Sequence, residues 1–167
     1  MAMSERLRDA FNRQIALEFT AAYTYLGMAG YFEAGNLSGF GNWMSRQYEE
    51  ELTHARKFFD YMLDRDAGVH LAAIPEPIQV YGSAVEAFEA ALAHEQKVTG
   101  AIHGLYRVAT EEEDYASLPM LQWFIEEQLE EESSVGRILE RVRLAGDEAA
   151  ALLMLDGELG SRGPETG

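Results

Sequence analysis

Cysteine is absent from all 167 residues. No disulfide can staple the fold, and no thiolate can bind a metal. Any metal must be held by oxygen and imidazole, a donor set that suits iron, manganese or zinc better than copper(I). Proline is nearly as scarce, with four residues at positions 75, 77, 119 and 164, so long stretches can run as unbroken helix. Basic residues are few, 13 against 29 acidic, giving a net charge of −16. That balance argues against nucleic acid as a partner, because phosphate binding needs a basic patch. Cations are the natural partners of such a field. No apolar run is long enough to span a bilayer. The segment Met1 to Phe11 carries charges throughout and no apolar stretch of signal-peptide length. The expectation is a soluble cytoplasmic protein with no membrane partner.

What the chain does have is helix periodicity. Its 47% hydrophobic content suits one domain with a sizeable core. Leu7, Phe11, Glu18, Ala22, Tyr25 and Phe32 recur at helical steps, predicting a first helix from Ser4 to about Phe32. Gly35-Asn36 ends it. A second helix, with Ser38 as its cap, follows along Phe40, Gln47, Glu51, His54, Phe58 and Tyr61 to about Asp66. The short link makes these two antiparallel. Residues 67–82 hold two prolines and no helical period, predicting an extended crossover. Ser83 and Glu86 form a capping box for a third helix running to about Glu112. After a break, a fourth helix has Pro119 in its first turn and runs along Leu121, Phe124, Gln128, Glu131, Val135, Ile138 and Val142. Gly146-Asp147 stops it and caps a fifth, from Glu148 to about Leu155. Two antiparallel pairs joined by a long crossover make an all-α, ferritin-like four-helix bundle. The bundle and fifth helix take residues 1–156, and glycine-rich residues 157–167 read as a flexible tail.

Polar residues stand where this core should be apolar. Glu18, Glu51, His54, Glu95, Gln128 and Glu131 each interrupt a stripe near the middle of a helix, so folding brings them to one depth. Carboxylates buried together repel and resist ionising, and a cation among them removes that cost. Glu51-Leu-Thr-His54 places two ligands one turn apart on one face. A lone Glu-x-x-His is usually surface decoration; four interrupted stripes at matching depth point to a di-iron centre. Glu50, Glu127 and Glu130 form a neighbouring acidic layer that could hold another cation or be a solvated face. Tyr25, two turns beyond Glu18, could donate an electron or simply hydrogen-bond a carboxylate, and Trp123 reads as core. His70, His94 and His103 read as surface or packing residues, and the run Glu111-Glu112-Glu113-Asp114 as a solvated helix end.

From about Ser4 to Arg162 the chain resembles the prokaryotic non-haem ferritins. The matching pieces are Glu18-Phe-Thr-Ala-Ala-Tyr-Thr-Tyr25, Tyr48-Glu-Glu-Glu-Leu-Thr-His54, His94-Glu95, Gln122-Trp-Phe-Ile-Glu-Glu-Gln-Leu-Glu-Glu-Glu132 and Leu153-Met-Leu-Asp-Gly-Glu-Leu-Gly160. The resemblance implies that Glu18, Glu51 and His54 bind a first iron. It implies that Glu51, Glu95 and Glu131 bind a second, with Gln128 close by and Tyr25 beside the centre. Glu50, Glu127 and Glu130 match a third iron site. It also implies a hollow shell of 24 identical subunits that oxidises Fe(II) with O2 or H2O2 and stores ferric mineral. The chain departs from bacterioferritin at Gln128-Leu-Glu-Glu131, which replaces a second Glu-x-x-His, and at Leu52, where bacterioferritin has its haem-binding methionine. No haem is expected. The segment around Leu118 and Leu121 is apolar where animal ferritins place acidic pore residues, so the route taken by iron is expected to differ.

Two rival readings remain at this level. One is a di-iron peroxidase or oxidase resembling the rubrerythrins, without mineral; those pair the bundle with a cysteine-bound iron, and cysteine is absent. The other is a structural bundle with no chemistry, in which the buried carboxylates hold no metal.

Overall fold

The computed structural model describes residues 2–161. Helices α1 (Glu5–Ala34), α2 (Ser38–Asp64), α3 (Ala84–Glu111), α4 (Leu118–Ala145) and α5 (Ala149–Gly160) account for its regular structure, and no strand occurs among the described residues. α1 packs on α2 and on α3, α3 packs on α4, and α5 lies across α2 with a lighter contact to α4. The segment between α2 and α3 is extended, as Pro75 and Pro77 require. No described helix is long and apolar enough to cross a membrane.

Each helix starts and stops for a local reason. Ser4 caps α1 by accepting from the Leu7 amide, and Ser83 caps α3 by accepting from the Glu86 amide. Glu86 reaches back one residue further than the expected capping box, accepting from the amide of Gly82 rather than Ser83. Pro119 sits in the first turn of α4, where its missing N–H costs nothing. Asn36, Asp66, Glu113 and Gly146 end helices or turn the chain at positive φ.

Two caps differ from expectation. Ser38 does not cap α2: it is the first helical residue, and its hydroxyl donates to Glu33 instead. The cap position is Leu37, which has no oxygen to offer. The cap comes from α5, where Asp156 Oδ1 accepts from the Phe40 amide at 2.9 Å. Nor does Asp147 cap α5; that helix begins after Glu148, with no side-chain cap.

α5 also runs past Leu155 to Gly160, so the expected boundary at residue 157 falls inside a helix. Leu155 and Leu159, four residues apart, are both buried and hold its last turns down. The rest of the expected tail, residues 162–167, lies outside the described residues.

The α5 seat depends on Gly39. A Cβ there would lie 1.7 Å from the Asp156 carbonyl oxygen. We predict that Gly39→Ala lifts α5 off α2 and removes the Asp156 cap, costing about 1–3 kcal/mol. Hydrogen exchange of the α5 amides should accelerate, and unchanged protection would refute the tight seat.

The core is divided. One apolar slab joins Tyr25, Met28 and Phe32 with Phe40, Met44, Phe88 and Val135. The other joins Leu7, Phe11 and Ile15 with Phe58, Val98, Ile102, Leu121 and Phe124. Following each helix from one slab to the other crosses the same set of buried polar residues: Glu18 on α1, Gln47, Glu51 and His54 on α2, Glu95 on α3, Gln128 and Glu131 on α4. α2 and α4 have no Cα pair within 8 Å, and side chains span the space between them.

Candidate metal centre

The four helices each deliver ligand-type side chains into that polar layer. Three groups form, in each of which one ligand atom per residue lies within 4.8 Å of the others: Glu18, Glu51 and His54; Glu51, Glu95 and Glu131; and Glu50, His54, Glu127 and Glu131. Glu51 belongs to the first two groups, His54 to the first and third, Glu131 to the second and third. The first two contain the same residues that the family resemblance implies for the two ions.

Hydrogen bonds fix most of these side chains. Gln14 Nε2 donates to Glu18 Oε1 at 2.7 Å, and Gln47 Nε2 donates to Glu131 Oε2 at 2.8 Å. The Tyr25 hydroxyl donates to Glu95 Oε1 at 2.5 Å. Gln128 Nε2 donates to Glu95 Oε2 at 3.1 Å, and lies 3.2 Å from both the Glu95 carbonyl oxygen and the Thr99 hydroxyl. His54 Nδ1 lies 3.1 Å from Glu51 Oε2, while Nε2 faces Glu127 Oε1 at 3.8 Å. Edge-on contacts with Trp123 and Phe124 hold the imidazole.

The electrostatics are those of a site waiting for positive charge. Burial holds the Glu18 carboxyl above its ordinary range, against the pull of His54 and Gln14. Burial raises Glu51 much further, and the carboxylates of Glu95 and Glu18 add to it. Glu131 is raised likewise by burial, then by Glu95, Glu50 and Glu51. Burial and the same acidic neighbours push the Tyr25 hydroxyl well up, so it stays a proton donor. Burial alone would lower His54, but Glu127, Glu18, Glu131 and Glu50 outweigh it and raise the imidazole. Burial raises Glu50, whereas the His54 hydrogen bond lowers Glu127.

The donor set fits a metal. Glu18 Oε2, Glu51 Oε1 and Gln128 Oε1 are buried and have no hydrogen-bond partner. A buried carboxylate oxygen without a donor is costly unless a cation meets it. Oxygen donors with one imidazole suit iron, manganese or zinc.

Among the expected residues, Glu130 stands apart: it is exposed and joins none of the three groups, while Glu50 and Glu127 are half-buried and share theirs with His54 and Glu131. Trp123 is not core. It is 37% exposed, because its ring lies at the edge of α4, where Lys57 Nζ sits 3.2 Å from the ring centroid. His70 and His103 are exposed. His94 is half-buried away from the centre, and burial lowers its imidazole to about 4. Two buried amides were missed as parts of the site, Gln14 and Gln47. The available signal was their spacing, each four residues before a ligand-type glutamate on its own helix.

The chain matches the family model described as "Ferritin-like domain" over residues 8–145. It is 36% identical over 160 residues to a bacterial non-heme ferritin of Staphylococcus saprophyticus, covering 96% of each chain. It is 35% identical, with the same coverage, to that of Staphylococcus aureus. Among solved structures, an engineered closed form of the Archaeoglobus fulgidus ferritin superposes with a TM-score of 0.95 at 46% identity, covering 98% of this chain and all of that one. A structure described as an open pore ferritin from the same archaeon gives 0.95 at 45% identity, with the same coverage. The chain belongs to the ferritin family.

Proposed function

We propose that the protein is an iron-storage ferritin that oxidises Fe(II) at an intra-subunit di-iron centre and deposits ferric mineral inside a homo-oligomeric shell. The observation that carries this reading is the sharing of Glu51 between two buried ligand groups, with unpartnered carboxylate oxygens in the layer. One bridging glutamate keeps two ions close enough to act on one oxidant.

Fe(II) is the substrate. Its positive charge is drawn by the protein's net charge of −16. Glu18, Glu51 and His54 take one ion; Glu51, Glu95 and Glu131 take the other. Two ions supply two electrons, and O2 that accepts both with two protons becomes H2O2. Fe(III) hydrolyses more readily than Fe(II), so product moves from the centre into mineral. Glu50 and Glu127, facing His54 Nε2 and Glu131, offer a third position beside the first two. Tyr25 holds Glu95 at Oε1 by its hydroxyl and so fixes the carboxylate beside the second position. Gln128 holds the other side of Glu95.

Self-association is supported by apolar surface at two places: Leu71, Ile78 and Val80 on the crossover, and Leu144, Leu153 and Met154 around α5. Further copies would cover both, and family resemblance suggests 24 subunits. A cytoplasmic location fits the same reading.

The test is an anaerobic Fe(II) titration of the metal-free protein, followed by air, with ferric absorbance and particle size read together. The proposal expects saturable binding of two or three irons per chain, fast oxidation, and continued uptake into a large hollow particle. Binding of two irons without further uptake would instead favour a di-iron oxidase.

A further inference from the structure

Gln14 does not belong to any of the ligand groups, yet it is one of the most deeply buried polar residues, 2% exposed. It sits between Phe11 and Ile15 on the apolar face of α1, where leucine or methionine would pack at no polar cost. Its amide is used on one partner: Nε2 donates to Glu18 Oε1 at 2.7 Å. The opposite oxygen of the same carboxylate, Oε2, is buried and has no hydrogen-bond donor.

The asymmetry is informative. A carboxylate with two free oxygens can rotate, and can also bind an ion through both. One oxygen tied to a fixed donor leaves a single oxygen, at one direction, for the ion. The donor's neutrality matters as much as its place. A lysine at position 14 would hold Glu18 equally well, but its charge would substitute for the metal. An amide orients without neutralising. On α2 and α4 the arrangement recurs with other residues, as Gln47 holds Glu131 through Oε2.

We propose that Gln14 is a positioning residue for the first ion: its amide commits Glu18 to one-oxygen ligation beside Glu51 and His54. This inference rests on the di-iron reading above. It makes a selective claim, because Gln14 touches a member of the first group and no member of the second. Outer-shell partners of this kind are worth about 10- to 100-fold in metal affinity.

The experiment uses Co(II) on the assembled, metal-free protein, since Co(II) binds oxygen and imidazole ligands and is not turned over by air. Two readouts are taken: visible ligand-field absorption, and the paramagnetically shifted imidazole resonances of His54, which report an ion in the first or third group but not one ligated in the second. Gln14→Met keeps side-chain volume and removes the donor. Gln14→Asn keeps an amide but is one methylene short of Glu18, and guards against a folding defect in the first variant. Both should weaken the His54-linked Co(II) site about tenfold or more while the oxygen-only site keeps its affinity. Gln47→Met should do the reverse, weakening the site that uses Glu131. Wild-type Co(II) binding at His54 in Gln14→Met and Gln14→Asn would overturn the assignment. So would equal weakening of both sites, which would make Gln14 a packing residue. Absence of Co(II) binding by the unmodified protein would overturn the metal centre itself, a result separate from either variant's.

Discussion

Replacing Glu51 with glutamine should abolish fast Fe(II) oxidation and at the same time make the metal-free protein more stable. The first effect follows from sharing. Glu51 is the one residue common to the groups with Glu18 and His54 and with Glu95 and Glu131, so its loss weakens both ion positions and removes the bridge between them. Stopped-flow ferric absorbance should show the initial rate falling by about 100-fold or more, beyond what loss of a supporting residue produces. The second effect follows from the absence of a cation in the metal-free state. Glu51 is fully buried, and its neighbours Glu18 and Glu95 make ionisation there unfavourable. A neutral amide of the same shape relieves that repulsion and can donate to those neighbours. Replacing buried charge in this way gains about 1–4 kcal/mol in favourable cases. Thermal unfolding of the metal-free variant should therefore occur at higher temperature than wild type. Wild-type oxidation rates in Glu51→Gln would remove Glu51 from the mechanism. A less stable variant would mean that its carboxylate is a structural partner and not a ligand held in reserve.

The metal-free protein should also lose stability as pH rises, the opposite of the usual acid denaturation. Glu18, Glu51 and Glu131 hold their protons more tightly folded than unfolded. The native state therefore binds more protons than the unfolded state from roughly pH 4.5 upward, and stability declines through the window above that value. His54, also raised in the fold, adds in the same direction: its stabilisation is present at low pH and fades as the imidazole loses its proton. Glu127, lowered by His54, acts in the opposite sense, but only below about pH 4.5, where its folded and unfolded states differ in protonation, so it leaves the decline above that value intact. A divalent ion cancels the trend, because it takes the place of the bound protons and favours the folded state alone. With Co(II) at about 100 times its dissociation constant, one site gives about 2.7 kcal/mol, or about 5–10 °C in Tm for a chain of this size. Unfolding scans between mildly acid and mildly alkaline pH, with and without Co(II), check both statements. A stability that rises with pH in the metal-free protein would show that these carboxylates are ionised and otherwise paired.

Much of this was legible because ligands inside a bundle must break an otherwise regular pattern. Glu18, Glu51, His54, Glu95, Gln128 and Glu131 were visible as polar residues in apolar stripes, and all six lie in the layer between the two slabs. The topology was legible from scarcity: Pro75 and Pro77 leave one place for an extended crossover, and the short 35–37 link forces a hairpin. What escaped notice depended on tertiary partners. Gln14 and Gln47 are ordinary helix formers, and only the carboxylates they meet give them a role. The α2 cap could not be read near Leu37, because Asp156 supplies it from a helix 116 residues away. Glu130 and Glu127 look alike in sequence, yet three helical steps leave them about 60° apart around α4, with the first in solvent and the second beside His54. Trp123 reads as core from the sequence, but an amphipathic indole is equally at home at a helix edge beneath a lysine.

The most direct test of the centre is crystallography of the protein soaked anaerobically with Fe(II), with anomalous scattering measured on both sides of the iron absorption edge. The account predicts two edge-dependent peaks inside each subunit, one among Glu18, Glu51 and His54 and one among Glu51, Glu95 and Glu131, both in contact with Glu51. Iron found only on surface carboxylates, with the buried layer free of anomalous signal at saturating Fe(II), would contradict it.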